Sequence, residues 1–132
     1  MAYLIDPDTL IYSLKSNEAV HRKFEQHADA PKAISVITYG ELLFGARRSQ
    51  QVIKNLATVK RIAELFPVLE VTVPVMETFA ELKTSLYKSG TPLDDMDLII
   101  ASTALFHNMV VVTNNDKHFS KIPGLKTENW TR

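Results

Sequence analysis

Apolar residues fall along this chain in short runs separated by helical stripes. Tyr3-Leu4-Ile5 is an apolar run that stops at Asp6. Asp8 follows, and Leu10, Ile11 and Leu14 then share one helical face. The pattern predicts a buried strand, a tight turn and a helix over Thr9–Lys15. Asn17–Gln26 reads as a second helix, with Val20 and Phe24 four residues apart among charged positions. Ala33–Val36 reads as a strand and Thr38–Ala46 as a helix. Ser49–Phe66 is a long amphipathic helix, its stripe formed by Val52, Ile53, Leu56, Val59, Ile62, Ala63 and Phe66, and Pro67 stops it. Val68–Val73 alternates apolar and polar residues, as a strand does. Pro74 can open a helix that runs to about Lys88. A turn with Gly90 and Pro92 leads to an apolar helix over Asp94–Asn108. Val110–Thr113 is an apolar strand with a polar stop, Asn114–His118 a polar loop, and Lys126–Trp130 an edge strand.

Strands separated by helices imply the α/β class, with a parallel sheet and right-handed crossovers. The 132 residues suit a single domain over 1–132, and no repeat or linker divides them. Ligands of such sheets bind at the carboxyl ends of the strands. Asp6 is expected on that edge.

Composition narrows the chemistry. The chain is 45% hydrophobic and 23% charged, as in ordinary globular proteins. No apolar run can span a membrane, and the N-terminus lacks a secretory pattern, so a cytoplasmic location is expected. The absence of cysteine excludes disulfides and thiolate metal sites. Fifteen Lys and Arg balance 15 Asp and Glu, giving zero formal net charge. A protein that holds nucleic acid by overall charge would be basic. Any nucleic-acid contact must come from a local patch or from metal ions that bridge phosphates to acids.

The acids have structural explanations when taken singly. Asp6 before Pro7 suits a helix N-cap, and Asp8 suits the cap of a helix starting later. Thr38-Tyr39-Gly40-Glu41 and Asp94-Asp95-Met96-Asp97 fit capping boxes. Asn115, Asp116 and His118 are common turn formers. Asp97 resists this account because it falls on the apolar stripe with Ile100 and Ala101. A carboxylate there must be paired, solvated by a cleft or bound to metal. Helix N-termini keep carboxylates ionised, and clustered carboxylates need a cation. Oxygen ligands without cysteine or paired histidines favour Mg²⁺ or Mn²⁺ over Zn²⁺.

Four stretches together resemble one family. Leu4-Ile5-Asp6-Pro7-Asp8-Thr9-Leu10-Ile11-Tyr12 is similar to the opening of PIN-domain ribonucleases, specifically the VapC toxins of toxin–antitoxin pairs. Ile34–Ala46 resembles the second motif of that family, and Gly90–Ala101 the third. Val111-Val112-Thr113-Asn114-Asn115, with Phe119, Pro123-Gly124-Leu125 and Glu128-Asn129-Trp130, resembles the closing block. The resemblance spans nearly the whole chain, in order. It implies a three-layer α/β/α fold around a central parallel sheet of four to five strands. It implies an Mg²⁺-dependent endoribonuclease that stops translation by cutting transfer or ribosomal RNA. A cognate antitoxin that also binds promoter DNA, and a homodimer, are the partners it implies.

By the same resemblance Asp6, Glu41 and Asp97 are the metal-binding acids, Asp8 is a further candidate ligand, and Asn115 occupies the fourth catalytic position. The chain departs from the family at several places. Asn115 is an amide where many members carry an acid, although Asp116 is adjacent. His118 stands where an acid often precedes the phenylalanine. Pro7 replaces a small hydroxyl residue, and Asp8 an asparagine. Thr38 or Thr113 is expected to orient the carboxylates; Arg47, Arg48, Lys117 and Lys121 are the candidates for RNA contact, although each is more often a solvated surface charge. The alternative is a non-catalytic binding module. Its acids would only cap helices, and Ile11, Tyr12, Leu43, Phe44 and the 49–66 helix would hold a partner. A phospho-acceptor domain is disfavoured, because Thr72-Val73-Pro74 supplies no aspartate after the 68–73 run.

Overall fold

The computed structural model describes residues 1–132. Five parallel strands form one sheet in the order β3-β2-β1-β4-β5. They are β1 (Tyr3–Ile5), β2 (Lys32–Ser35), β3 (Val68–Leu69), β4 (Val110–Val112) and β5 (Thr127–Glu128). Between them run α1 (Pro7–Leu14), α2 (Glu18–Gln26), α3 (Val36–Arg47), α4 (Val52–Leu65), α5 (Val73–Lys88), α6 (Asp95–His107) and the single turn α7 (Asp116–Phe119). No helix is long and apolar enough to cross a membrane.

Strand pleating divides the interior into two cores. Tyr3 and Ile5 of β1 and Val110 and Val112 of β4 join Leu10, Leu42, Val59 and Ile62, from α1, α3 and α4. Leu4 and Val111 point the other way, to Leu82, Leu86, Leu98, Ala101 and Ala104 of α5 and α6. A sheet buried on both faces needs continuous apolar strands, which Tyr3-Leu4-Ile5 and Val110-Val111-Val112 supply. This is the three-layer α/β/α arrangement expected from the sequence.

The chain closes on Trp130, which is fully buried. Its ring stacks on His27 at 5.0 Å and 4°, meets Phe24 edge-on at 5.1 Å, and donates Nε1–H to Glu128 Oε1 at 2.9 Å. Trp130→Ala is expected to destabilise the protein by about 3–5 kcal/mol in urea unfolding, the range for emptying a large aromatic site.

Several expected boundaries move. Helix α3 begins at Val36 rather than Thr38, because buried Ser35 at the end of β2 accepts the Ile37 amide and caps it. β-branched Val36 and Ile37 mimic a strand continuation, but the cap and packing decide. Glu41 therefore lies in the second turn of α3, and the Thr38–Glu41 capping box does not form. Strand β3 keeps two residues of the expected six, since Thr72 accepts the Val75 amide and starts α5. Ile53 shares the helical spacing of the apolar stripe of α4, yet it is 88% exposed.

Candidate active site

Where the strand order turns back, β1 and β4 lie side by side, and their carboxyl ends open the crevice in which such folds bind ligands. Asp6 leaves β1 with its amide still donating to Val112 O at 2.9 Å, so sheet pairing fixes its backbone. It occupies the N-cap position of α1, yet its side chain makes no capping hydrogen bond. Asp6 Oδ2 instead accepts the buried Thr113 hydroxyl at 2.8 Å, across 107 positions of sequence. Thr113 Oγ1 in turn accepts the Asn115 amide at 2.9 Å. Of the two threonines expected to orient carboxylates, only Thr113 does so. Thr38 is buried, and its hydroxyl has no partner.

Asp8 ties the first turn of α1 to the loop after β4. Its carboxylate accepts the Asn114 amide at 3.2 and 3.4 Å and the Thr9 hydroxyl at 3.3 Å. Thr9 Oγ1 also lies 3.4 Å from Val112 O. Asp97 stands in the first turn of α6, where Asp94 caps the helix by accepting the Met96 and Asp97 amides at 3.1 and 3.4 Å.

These acids act on one another. Asp6, only 6% exposed, has its pKa raised from 3.8 to about 8, first by burial and then by the charges of Asp8, Asp97 and Glu41, against the lowering hydrogen bond of Thr113. Burial also lifts Glu41, helped by Asp97, Asp94 and Asp8. Asp97 is raised by burial and Asp94, and the nearby His118 opposes this. His118 Nδ1 is 3.8 Å from Asp97 Oδ2, too far for a hydrogen bond but close enough for charge to act. The same nitrogen meets Asn115 Nδ2 at 2.9 Å.

The sequence-derived candidates thus separate. Asp6, Asp8, Glu41 and Asp97 share one electrostatic neighbourhood, with Asn115 and His118 at its edge. Asp116 is turned elsewhere: its carboxylate takes Arg132 Nη2 at 3.1 Å on both oxygens and Asn129 Nδ2 at 3.4 Å. It does not replace the acid missing at Asn115. Asp94 is the residue missed, since its capping role concealed that its charge also reaches Glu41 and Asp97.

The donor set is all oxygen apart from His118, the chemistry of a hard divalent cation. No three Asp, Glu or His side chains are close enough to enclose an ion by themselves. A small hard cation keeps several of its waters and takes few protein ligands, so carboxylates set back from one another fit it. Asp6, Glu41 and Asp97, each with its pKa raised by burial and by neighbouring carboxylates, fit a cation that relieves this repulsion.

Residues 3–125 match the PIN domain family. The tRNA(fMet)-specific endonuclease VapC of Salmonella typhimurium is 31% identical over 131 residues, 98% of each chain. The crystal structure of VapBC2 from Rickettsia felis, bound to a DNA fragment from its promoter, superposes with a TM-score of 0.92 at 30% identity, covering 98% of this chain and 99% of that one. A toxin–antitoxin complex from Klebsiella pneumoniae gives 0.71 at 27% identity, over 93% of this chain and 94% of that one. The likeness spans nearly the whole chain, and the chain is a member of the PIN-domain family, grouped with the VapC endonucleases.

Proposed function

We propose that this chain is a metal-dependent endoribonuclease toxin, acting in the cytoplasm on RNA of the transfer or ribosomal class and restrained by a cognate antitoxin. The observation that carries this is Asp6: a nearly buried carboxylate with its pKa near 8, faced by three other acids at the strand switch point. A structural cap would use its oxygens on helix amides, and Asp6 does not. The full-length likeness to a tRNA endonuclease and to a toxin–antitoxin complex supports the RNA substrate and the antitoxin.

Asp6, Glu41 and Asp97 would hold Mg²⁺ or Mn²⁺, with Asp8 and Asn115 reaching it directly or through water. A bound ion of this kind supplies an activated water and neutralises charge on the scissile phosphate. The chain's own part is positioning. Thr113 fixes the Asp6 carboxylate and favours its ionised form. Asp8 pins the β1–α1 turn to the β4 exit, so the two walls of the crevice keep their spacing. Asn115 is held by His118 and by the Thr113 oxygen. No side chain is required as nucleophile.

Sequencing RNA 5′ ends after brief expression, against an Asp97→Asn control, tests the activity and names the target together. Discrete new ends in the wild type alone support the proposal, and identical profiles sink it. Thr113→Val keeps the shape of the residue and removes its hydroxyl. It is expected to lower Mn²⁺ affinity and cleavage by about 10–100-fold, as loss of a group that orients a ligand does. Calorimetric metal titration beside a cleavage assay measures both.

A further inference from the structure

One turn beyond Glu41, α3 presents a second feature to solvent. Phe44 is 63% exposed, and the Arg48 guanidinium lies over its ring, 5.4 Å from the centroid. A single exposed aromatic needs no explanation, but this one has company. Neither Arg47 nor Arg48 makes an ion pair, so two uncompensated cations flank the ring on a chain of zero net charge. Gly40 lies four residues before Phe44 and Gly45 four residues after Glu41, so the two glycines flank the helix face that carries Phe44, Arg48 and Glu41. Glycine inside a helix weakens it relative to alanine. A Cβ at either position would meet nothing within 4 Å, and neither glycine has positive φ. The fold itself gives no reason for them. Room left open over a helix backbone, beside a ring and two free cations, suits a flat anionic ligand.

We infer that the face of α3 formed by Glu41, Phe44, Gly45 and Arg48 is a stacking shelf for one unpaired base of single-stranded RNA, next to the bond that is cut. This rests on the ribonuclease proposal and adds a substrate class to it. Side chains at i and i+3 stand about 5–6 Å apart at their Cβ atoms, within the reach of one nucleotide. With the scissile phosphate at the acids, the adjoining base meets the Phe44 ring. Stacking on an aromatic ring tolerates any base, because every base has a π-face. A base already paired in a duplex cannot lie on the shelf, so the shelf selects loops and ends. Arg48 steadies the ring, and with Arg47 it meets the charge of the strand.

The test uses the full chain in EDTA, so that the strand stays uncut, with a single-stranded oligoribonucleotide carrying one 2-aminopurine and with its duplex. Wild type should quench the fluorophore and prefer the single strand. Phe44→Ala should bind the single strand about tenfold more weakly and lose the quenching, with duplex binding and thermal unfolding unchanged; Phe44→Trp should restore both. Gly45→Ala should raise the thermal midpoint by a few degrees yet weaken single-strand binding, an opposition that damage to the fold cannot produce. Unchanged affinity and quenching in Phe44→Ala, with RNA cleavage in Mg²⁺ intact, overturn the shelf and leave the ribonuclease standing. Loss of self-association or antitoxin capture in Phe44→Ala, with RNA affinity retained, overturns it in favour of a protein contact. A wild type that neither binds nor cuts RNA overturns the ribonuclease and the shelf together.

Discussion

Asp6→Asn is expected to lower RNA cleavage on the order of a thousandfold or more while making the metal-free protein more stable at pH 8. The activity loss follows from position. Asp6 is the buried corner of the acid group, and a single preorganised electrostatic contact at a reacting centre is worth about 10²–10³ in rate. Removing a ligand that also places an ion goes further. The stability gain follows from charge. An ionised Asp6 has been taken out of water beside Asp8, Asp97 and Glu41. The amide keeps the shape, can still accept the Thr113 hydroxyl, and carries no charge to desolvate. Were Asp6 only a helix cap, the substitution would leave stability nearly unchanged, because asparagine caps a helix about as well as aspartate. Cleavage of a labelled oligoribonucleotide in Mg²⁺ and thermal unfolding in EDTA measure the two effects. Retained cleavage would remove Asp6 from the mechanism, and unchanged stability would restore the cap.

Much of this was legible before the structure, for reasons visible in particular residues. Tyr3-Leu4-Ile5 and Val110-Val111-Val112 have one conformation that buries them, because a strand covered on both faces tolerates no polar position. Asp97 announced itself as a charge on an apolar stripe. The start of α3 did not, since Val36 and Ile37 have strand-like side chains and only the burial of Ser35 at the end of β2 places the cap. The support of Asp6 by Thr113 spans 107 positions, and no local pattern carries such a pairing. Asp116 and Asp94 were only partly legible. Asp116 looked like a spare acid beside Asn115, but Arg132 and Asn129 draw it to the chain end. Asp94 looked like a cap only, and it is a cap whose charge also reaches the crevice. A side chain's chemical type was readable, whereas the partner that claims it depended on the tertiary fold.

Metal-free wild type should lose stability steadily as pH rises from 5 to 8, and Mn²⁺ should return it at the upper end. The sign comes from Asp6, whose folded pKa of about 8 lies above the ordinary 3.8 of the unfolded chain. Below pH 3.8 the carboxyl is protonated in both states and exacts nothing. Between the two values the unfolded chain releases the proton and the folded chain keeps it. The native state then binds more protons, and stability falls with rising pH. Above about 8 both states are ionised and the slope from this group ends. Glu41 and Asp97, also raised, act in the same direction. The total change is on the order of a few kcal/mol. Most proteins behave oppositely here, because their carboxylates are better stabilised folded than unfolded. A divalent ion that binds only the folded acids adds stability by mass action, most where they are ionised. Urea unfolding at several pH values between 5 and 8, in EDTA and in Mn²⁺, traces both curves. Asp6→Asn should flatten the EDTA curve and lose most of the Mn²⁺ gain. An equal slope in that variant would mean that the strain of the site lies in other groups than the carboxylate at the end of β1.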